Sequence, residues 1–126
     1  MKKKILLVED DPFLIEIYSD KLRVEGFETK VVADGEKVLP TLLEDKFDLL
    51  VLDIVLPGKS GWEVLREINE LRERKENLRE LKILVLSNLS QKKDVDKAYS
   101  LGAKKYLIKA HFTPKEVIQE IKKILL

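Results

Sequence analysis

The sequence predicts an α/β fold, a doubly wound five-stranded parallel sheet with five helices. Short apolar runs alternate along the chain with stretches whose apolar residues recur at helical spacing, which is the signature of repeated strand–helix units. Four of those runs also end on chemically useful groups: Glu9-Asp10 after residues 5–8, Asp53 after residues 49–52, Ser87 after residues 83–86, and Lys109 after residues 106–108. In open parallel sheets ligands bind outside the carboxyl ends of the strands, so these groups are expected to face one crevice. Three acids, a hydroxyl and a lysine together suit a phosphate and metal site.

Residues 5–8 are wholly apolar, as expected of a central strand buried on both faces. Over residues 12–24, Phe13, Leu14, Ile17, Tyr18, Leu22 and Val24 mostly recur at helical spacing. Asp11 is placed to cap that helix, Pro12 to open it and Gly26 to stop it. Residues 29–33 read as the second strand, Asp34-Gly35 as a turn, and residues 36–44 as the second helix. Pro40 falls inside that helix, where it deletes the hydrogen bond to the Glu36 carbonyl and should kink or shorten it.

Residues 49–52 form the third strand, and Pro57-Gly58 with Ser60-Gly61 make the loop beyond Asp53. Trp62, Val64, Leu65, Ile68 and Leu71 mark the buried side of the third helix, which the charged stretch 72–80 is expected to extend by a turn or two. Residues 82–86 are the fourth strand, residues 91–101 the fourth helix with Gly102 at its end, and residues 105–108 the fifth strand. Thr113-Pro114-Lys115-Glu116 opens the fifth helix with a capping box and a proline at its first position. Its apolar stripe is Val117, Ile118, Ile121, Ile124 and Leu125. With right-handed crossovers these elements wind in the flavodoxin-like order 2-1-3-4-5.

A length of 126 residues and a hydrophobic content of 44% suit one domain over residues 1–126. The formal charge of +1 gives no global electrostatic case for nucleic acid or an anionic membrane. Cysteine is absent, which excludes thiolate chemistry and Cys-based metal sites. The basic start Met1-Lys2-Lys3-Lys4 leads into an apolar run that stops at Glu9, too short for a signal peptide or a membrane span. A soluble, cytoplasmic protein is expected.

A single acid after a strand is as readily a turn residue or a cap as a ligand, and the pairing is what is specific. If the first and third strands are neighbours, about 4.8 Å apart, Asp10 and Asp53 confront each other with like charge, an arrangement that a hard divalent cation relieves. Mg²⁺ suits such oxygen ligands and keeps several waters. Glu9 is either an exposed strand-end acid or an acceptor for metal-bound water. Asp11 is better explained as the helix cap. Lys109 is either a surface lysine or, by its long stem, a cation beside Asp53. Ser87 is either bonded to backbone or a donor to a phosphoryl group.

The motifs Ile5-Leu-Leu-Val-Glu-Asp-Asp11, Phe47-Asp-Leu-Leu-Val-Leu-Asp-Ile-Val-Leu-Pro-Gly58 with Gly61, Leu86-Ser87 and Tyr106-Leu-Ile-Lys109 resemble the response-regulator receiver domain of two-component signalling, over essentially the whole chain. The resemblance implies that Asp53 is the phosphoacceptor, taking a phosphoryl group from a phosphohistidine of a sensor histidine kinase or histidine phosphotransfer protein. It implies that Asp10, Asp53 and the backbone carbonyl of Val55 hold Mg²⁺, that Glu9 orients its water, and that Lys109 stabilises phosphoryl charge. It implies a switch in which Ser87 moves to the phosphoryl group and Tyr106 turns inward, changing the face of the fourth helix, fifth strand and fifth helix for a downstream protein target. A fixed half-buried aromatic is the rival reading of Tyr106.

Several residues depart from that pattern. Ala110 stands where the family usually has proline, so a cis peptide there would cost about 2.5 to 4 kcal/mol. Asn88 replaces a small residue and is expected to narrow entry to the site. Val55 and Leu89 flank the site without a group to orient water, which predicts slow self-dephosphorylation. His111, the only histidine, is expected in a solvent-exposed loop.

No DNA-binding segment follows the fifth helix, so protein contact rather than direct nucleic-acid binding is the expected output. A phosphorylation-independent interaction module on the same fold is the alternative. A metal-dependent phosphatase is disfavoured, because no second acid lies two residues beyond Asp53 and no Gly-rich phosphate loop is present.

Overall fold

The alternating runs and helical stretches assemble into one five-stranded parallel sheet in the computed structural model, which describes residues 2–126. Its strands are β1 (Lys4–Val8), β2 (Glu28–Val32), β3 (Leu49–Leu52), β4 (Lys82–Ser87) and β5 (Lys105–Ile108), in the order β2-β1-β3-β4-β5. The helices are α1 (Pro12–Val24), α2 (Val38–Glu44), α3 (Gly61–Leu71), α4 (Glu76–Arg79), α5 (Lys92–Ser100) and α6 (Pro114–Leu125). Two 3-10 turns, Gly35–Lys37 and Lys109–His111, complete the fold. The predicted order of strands and doubly wound plan hold. Among the described residues the helix count is six rather than five.

Alternation along the three central strands builds two cores. Leu6, Val8, Leu50, Leu52, Ile83 and Val85 point to one face, where Val64, Leu65 and Ile68 of α3 cover them. Ile5, Leu7, Leu49, Val51, Leu84 and Leu86 point to the other, against Tyr18 and Leu22 of α1 and Val117, Ile118 and Ile121 of α6. Each such side chain contributes about 1.5–3 kcal/mol when fully buried. The two faces therefore hold the sheet rigid, and its rim inherits that rigidity.

Local chemistry explains the helix boundaries. Asp11 caps α1 by accepting the N–H groups of Phe13 and Leu14, and Thr113 with Glu116 forms the capping box of α6. Gly26 ends α1 at φ +90°, a conformation that glycine adopts without steric penalty. Of the two outcomes expected at Pro40, the structure shows shortening and no kink: residues 36–37 fall in the 3-10 turn and α2 begins at Val38, leaving Pro40 in its first turn, where its missing N–H has no helical acceptor to lose.

The stretch 72–80 does not extend α3 either. The chain turns after Leu71, whose carbonyl accepts the N–H groups of Arg74 and Lys75, and returns as the one-turn α4, which brings Leu78 into the core. Arg72 secures the return by donating from one guanidinium nitrogen to the carbonyls of Leu78 (3.0 Å) and Leu81 (2.8 Å). The second strand lies one residue earlier than predicted, and the fourth runs on to include Ser87.

Candidate functional site

Strand register delivers the acids to one place. Val8 pairs with Leu52 across β1 and β3, so Glu9 and Asp53 leave the sheet side by side, and the Asp53 N–H donates to the Val8 carbonyl at 3.2 Å. Ser87 pairs with Ile108 across β4 and β5, which sets Lys109 at the same rim. One cavity is lined by Glu9, Asp10, Asp53, Ser87 and Lys109, with Val55, Asn88 and Leu89 at its edge. The four predicted strand ends thus converge.

Asp53 is buried, and its two carboxylate oxygens have separate partners. Oδ1 accepts the N–H groups of Ile54 (2.7 Å) and Val55 (3.3 Å), and Oδ2 accepts from the Lys109 ammonium at 2.7 Å. The same ammonium lies 2.6 Å from Glu9 Oε1, while Glu9 Oε2 accepts the Asp11 N–H at 3.2 Å. Glu9 is only 2% exposed, so it is not the open strand-end acid of the simpler reading. Lys109 is likewise not a free surface lysine.

Burial acts on both members of this pair. Desolvation raises the Glu9 pKa above the usual carboxylate range, and the Lys109 ammonium only partly offsets it. Burial draws the Lys109 pKa down, but the hydrogen bonds to Asp53 and Glu9 outweigh it and leave that pKa raised. The ammonium is therefore firmly charged, and it faces more negative charge than it can balance.

Carboxylate oxygens of Glu9, Asp10 and Asp53 all lie within 4.8 Å of one another, and Asp10 is exposed to solvent. An all-oxygen set with one open side fits a hard divalent cation that retains waters, so the residues present suit Mg²⁺. Val55 stands at the edge of the cavity with its side chain largely in solvent (64% exposed).

Ser87 is fully buried, and its Oγ accepts the Leu89 N–H at 3.3 Å. Tyr106 points inward at 8% exposure, and its hydroxyl donates to the Leu89 carbonyl at 2.7 Å. Burial, then the charge of Asp94, raises the Tyr106 pKa, which keeps that hydroxyl a donor. The Lys109–Ala110 peptide is trans, since no cis peptide bond occurs among the described residues. His111 is exposed, as expected.

Two contacts were not legible in the sequence. The Tyr99 hydroxyl accepts the Tyr106 N–H at 3.1 Å, which covers the free edge of β5, and Asn88 Oδ1 accepts the Ala110 N–H at 3.0 Å. Both join residues whose proximity depends on loop placement. Leu14 of α1 also lines the cavity, a position that helical spacing alone does not reveal. Among the described residues no helix is long and apolar enough to cross a membrane.

The family model described as the response regulator receiver domain matches residues 5–122. The DNA-binding response regulator MtrA of Mycolicibacterium smegmatis is 35% identical over 122 residues, covering 97% of this chain and 50% of that protein. The transcriptional regulatory protein CpxR of Klebsiella pneumoniae is also 35% identical over 122 residues, covering 97% of this chain and 49% of its own length. This chain therefore spans about half the length of the curated relatives it matches. Those relatives are named as DNA-binding or transcriptional regulators, so the expectation of no direct nucleic-acid contact is narrowed to the receiver portion.

Among solved structures, the BeF3-activated receiver domain of DrrB superposes with a TM-score of 0.83 at 33% identity, covering 99% of this chain and 98% of that one. A structure of DrrB, described as a Thermotoga maritima OmpR/PhoB homolog, gives a TM-score of 0.84 at 33% identity, with 53% of its chain covered. On its sequence, its strand order and these matches, the chain belongs to the response regulator receiver domain family of two-component systems.

Proposed function

We propose that Asp53 accepts a phosphoryl group from a phosphohistidine of a sensor histidine kinase or histidine phosphotransfer protein. The observation that carries this is the 2.7 Å contact between Lys109 Nζ and Asp53 Oδ2 inside a cluster of three carboxylates. An O–P bond to Asp53 forms as the P–N bond to the donor imidazole breaks, and a carboxylate nucleophile needs no general base. Lys109 holds charge on the phosphoryl oxygens, and positioning with electrostatics supplies the rate. Asp10, Asp53 and the backbone carbonyl of Val55 would hold Mg²⁺, with Glu9 reaching it through a water. When bound, the ion neutralises developing phosphoryl charge.

Ser87 is the donor that turns to the phosphoryl group, and Tyr106 reports the change to the face of α5, β5 and α6. That face meets the output partner, a downstream protein or an adjoining effector domain of the kind that the relatives' names describe. A cytoplasmic setting goes with such a kinase partner. Val55 and Leu89 have no group to orient an attacking water, so the acyl phosphate is long-lived. A brief lifetime in the wild type would contradict that reading of Val55 and Leu89.

One observation favours a second reading. Tyr106 is already inward, as a phosphorylation-independent interaction module would hold it. Incubation with a small phosphodonor and Mg²⁺, followed by intact-mass analysis of wild type and Asp53→Asn, separates the two. A single phosphate adduct that the mutant lacks supports the phosphoacceptor. No adduct on the wild type refutes it, and continuous phosphate release would indicate a hydrolase.

A further inference from the structure

One hydrogen bond ties the loop after β4 to the turn after β5. The Ala110 N–H donates to Asn88 Oδ1 at 3.0 Å, across a sequence separation of 22. Ala110 belongs to the 3-10 turn Lys109–His111, whose cap residue Ile108 offers no side-chain acceptor. The first N–H groups of a helical turn have no acceptor within it. Asn88 supplies what the local sequence lacks.

Both ends of this bond lie at the site. Asn88 follows Ser87 and lines the cavity around Asp53, and Ala110 follows Lys109. Proline at 110 would have no N–H to give, so the asparagine and the alanine act as a pair. The next residue of the same loop, Leu89, is held from β5 by the Tyr106 hydroxyl. The loop carrying Ser87 is thus fastened at two successive residues, one fastening to the strand and one to the lysine turn.

We propose that Asn88 is a positioning residue for Lys109. By capping the turn it fixes the backbone from which the ammonium reaches Asp53 and Glu9, and it couples that backbone to the loop of Ser87. The proposal rests on the reading of Asp53 as phosphoacceptor. Lysine has a flexible four-carbon stem, so the placement of its ammonium depends on how firmly its backbone is held.

The test compares the wild type with Asn88→Ala and Asn88→Asp by three measurements: hydrogen exchange of the Ala110 amide, Mg²⁺ affinity from ion-induced NMR shifts, and the rate of Asp53 phosphorylation by a small phosphodonor. In N88A the Ala110 amide should exchange about fivefold faster and phosphorylation should slow about fivefold, the effect of one ordinary hydrogen bond. Mg²⁺ affinity should be unchanged in N88A, because the ligands are untouched. N88D keeps an acceptor and should keep the amide slow.

Unchanged Ala110 exchange in N88A overturns the proposal. So does faster exchange with a phosphorylation rate that holds or rises. A wild type that takes up no phosphate refutes the functional reading and removes this role with it, while the exchange result still stands as a measure of the bond.

Discussion

Replacing Gly61 with alanine should destabilise the fold and slow phosphoryl acceptance, although alanine is the better helix former. Gly61 opens α3, and the exit of β3 lies directly against it, with the Gly61 N–H donating to the Ile54 carbonyl at 2.8 Å. A Cβ at this position would stand 2.5 Å from the Asp53 carbonyl oxygen and 2.6 Å from the Ile54 Cα. Both are backbone atoms, so neither can swing aside. Real Cβ atoms essentially never approach within 3.0 Å, so the backbone must recede by about half an ångström or more.

Helix propensity favours alanine by about 0.5–1 kcal/mol, whereas overpacking costs about 1–3 kcal/mol. Taking the middle of each range, the net loss is about 1 kcal/mol, which lowers Tm by about 3–6 °C for a domain of this size. Misplacing a reacting group by 1 Å costs about a hundredfold in rate, so the displacement here should slow phosphorylation about tenfold. Thermal denaturation and the rate of adduct formation by intact mass, at saturating Mg²⁺, read the two effects. A G61A protein as stable and as fast as wild type would refute the claim that this close approach places Asp53.

Lys109→Ala leaves Glu9 and Asp53 facing each other without their cation, and removing one partner of a buried pair costs about 3–5 kcal/mol. Part of that loss should be restored by Mg²⁺, and denaturant titration with and without the ion would show otherwise if the two losses were equal. Burial raises the Glu9 pKa above its ordinary value, so its contribution to stability is fully present below the unfolded-state value and is lost as pH rises through the folded one. Metal-free wild type should therefore weaken as pH rises just above the usual carboxylate range. Glu9→Gln should flatten that slope and be more stable at neutral pH, and a less stable E9Q there would contradict the assignment. Arg72→Ala should lose about 2–3 kcal/mol through its charged hydrogen bonds to the carbonyls of Leu78 and Leu81. Faster amide exchange confined to residues 76–81, with Mg²⁺ affinity unchanged, is the expected pattern.

The central strands were legible because burial on both faces leaves no polar position, so residues 5–8, 49–52 and 83–86 read as unbroken apolar runs. Their ends were legible for the same reason: topology alone carries Glu9, Asp53 and Lys109 to one rim. What failed was local. The length of the charged connection 72–80 suggests a third helix longer by a turn or two, but burial of Leu78 and the Arg72 clasp turn the chain back after Leu71, and such long-range packing leaves no mark on connection length. At Pro40 the structure shows shortening rather than a kink, a choice that depends on the 3-10 turn before α2 and so is not set by the proline alone. The Asn88–Ala110 and Tyr99–Tyr106 bonds have no sequence signature, since each depends on where two separate segments are brought by the fold.

Leu89 joins the two hydroxyls of the proposed switch, and magnitudes limit what they can do alone. Its N–H is held by Ser87 Oγ and its carbonyl by Tyr106 Oη. Turning Ser87 towards a phosphoryl oxygen gives up an ordinary hydrogen bond worth about 0.5–1.5 kcal/mol and gains a charged one worth about 1.5–3 kcal/mol. The surplus is at most about 2.5 kcal/mol, which shifts a two-state equilibrium by less than about a hundredfold. A near-complete reversal needs a preference of about ten-thousandfold. Phosphorylation through Ser87 alone would therefore bias the loop without throwing it over, and under the proposed function an output partner at the α5, β5 and α6 face would supply the remaining free energy. By reciprocity that partner would favour the phosphorylated form to the same degree, so its presence should also promote phosphorylation of Asp53.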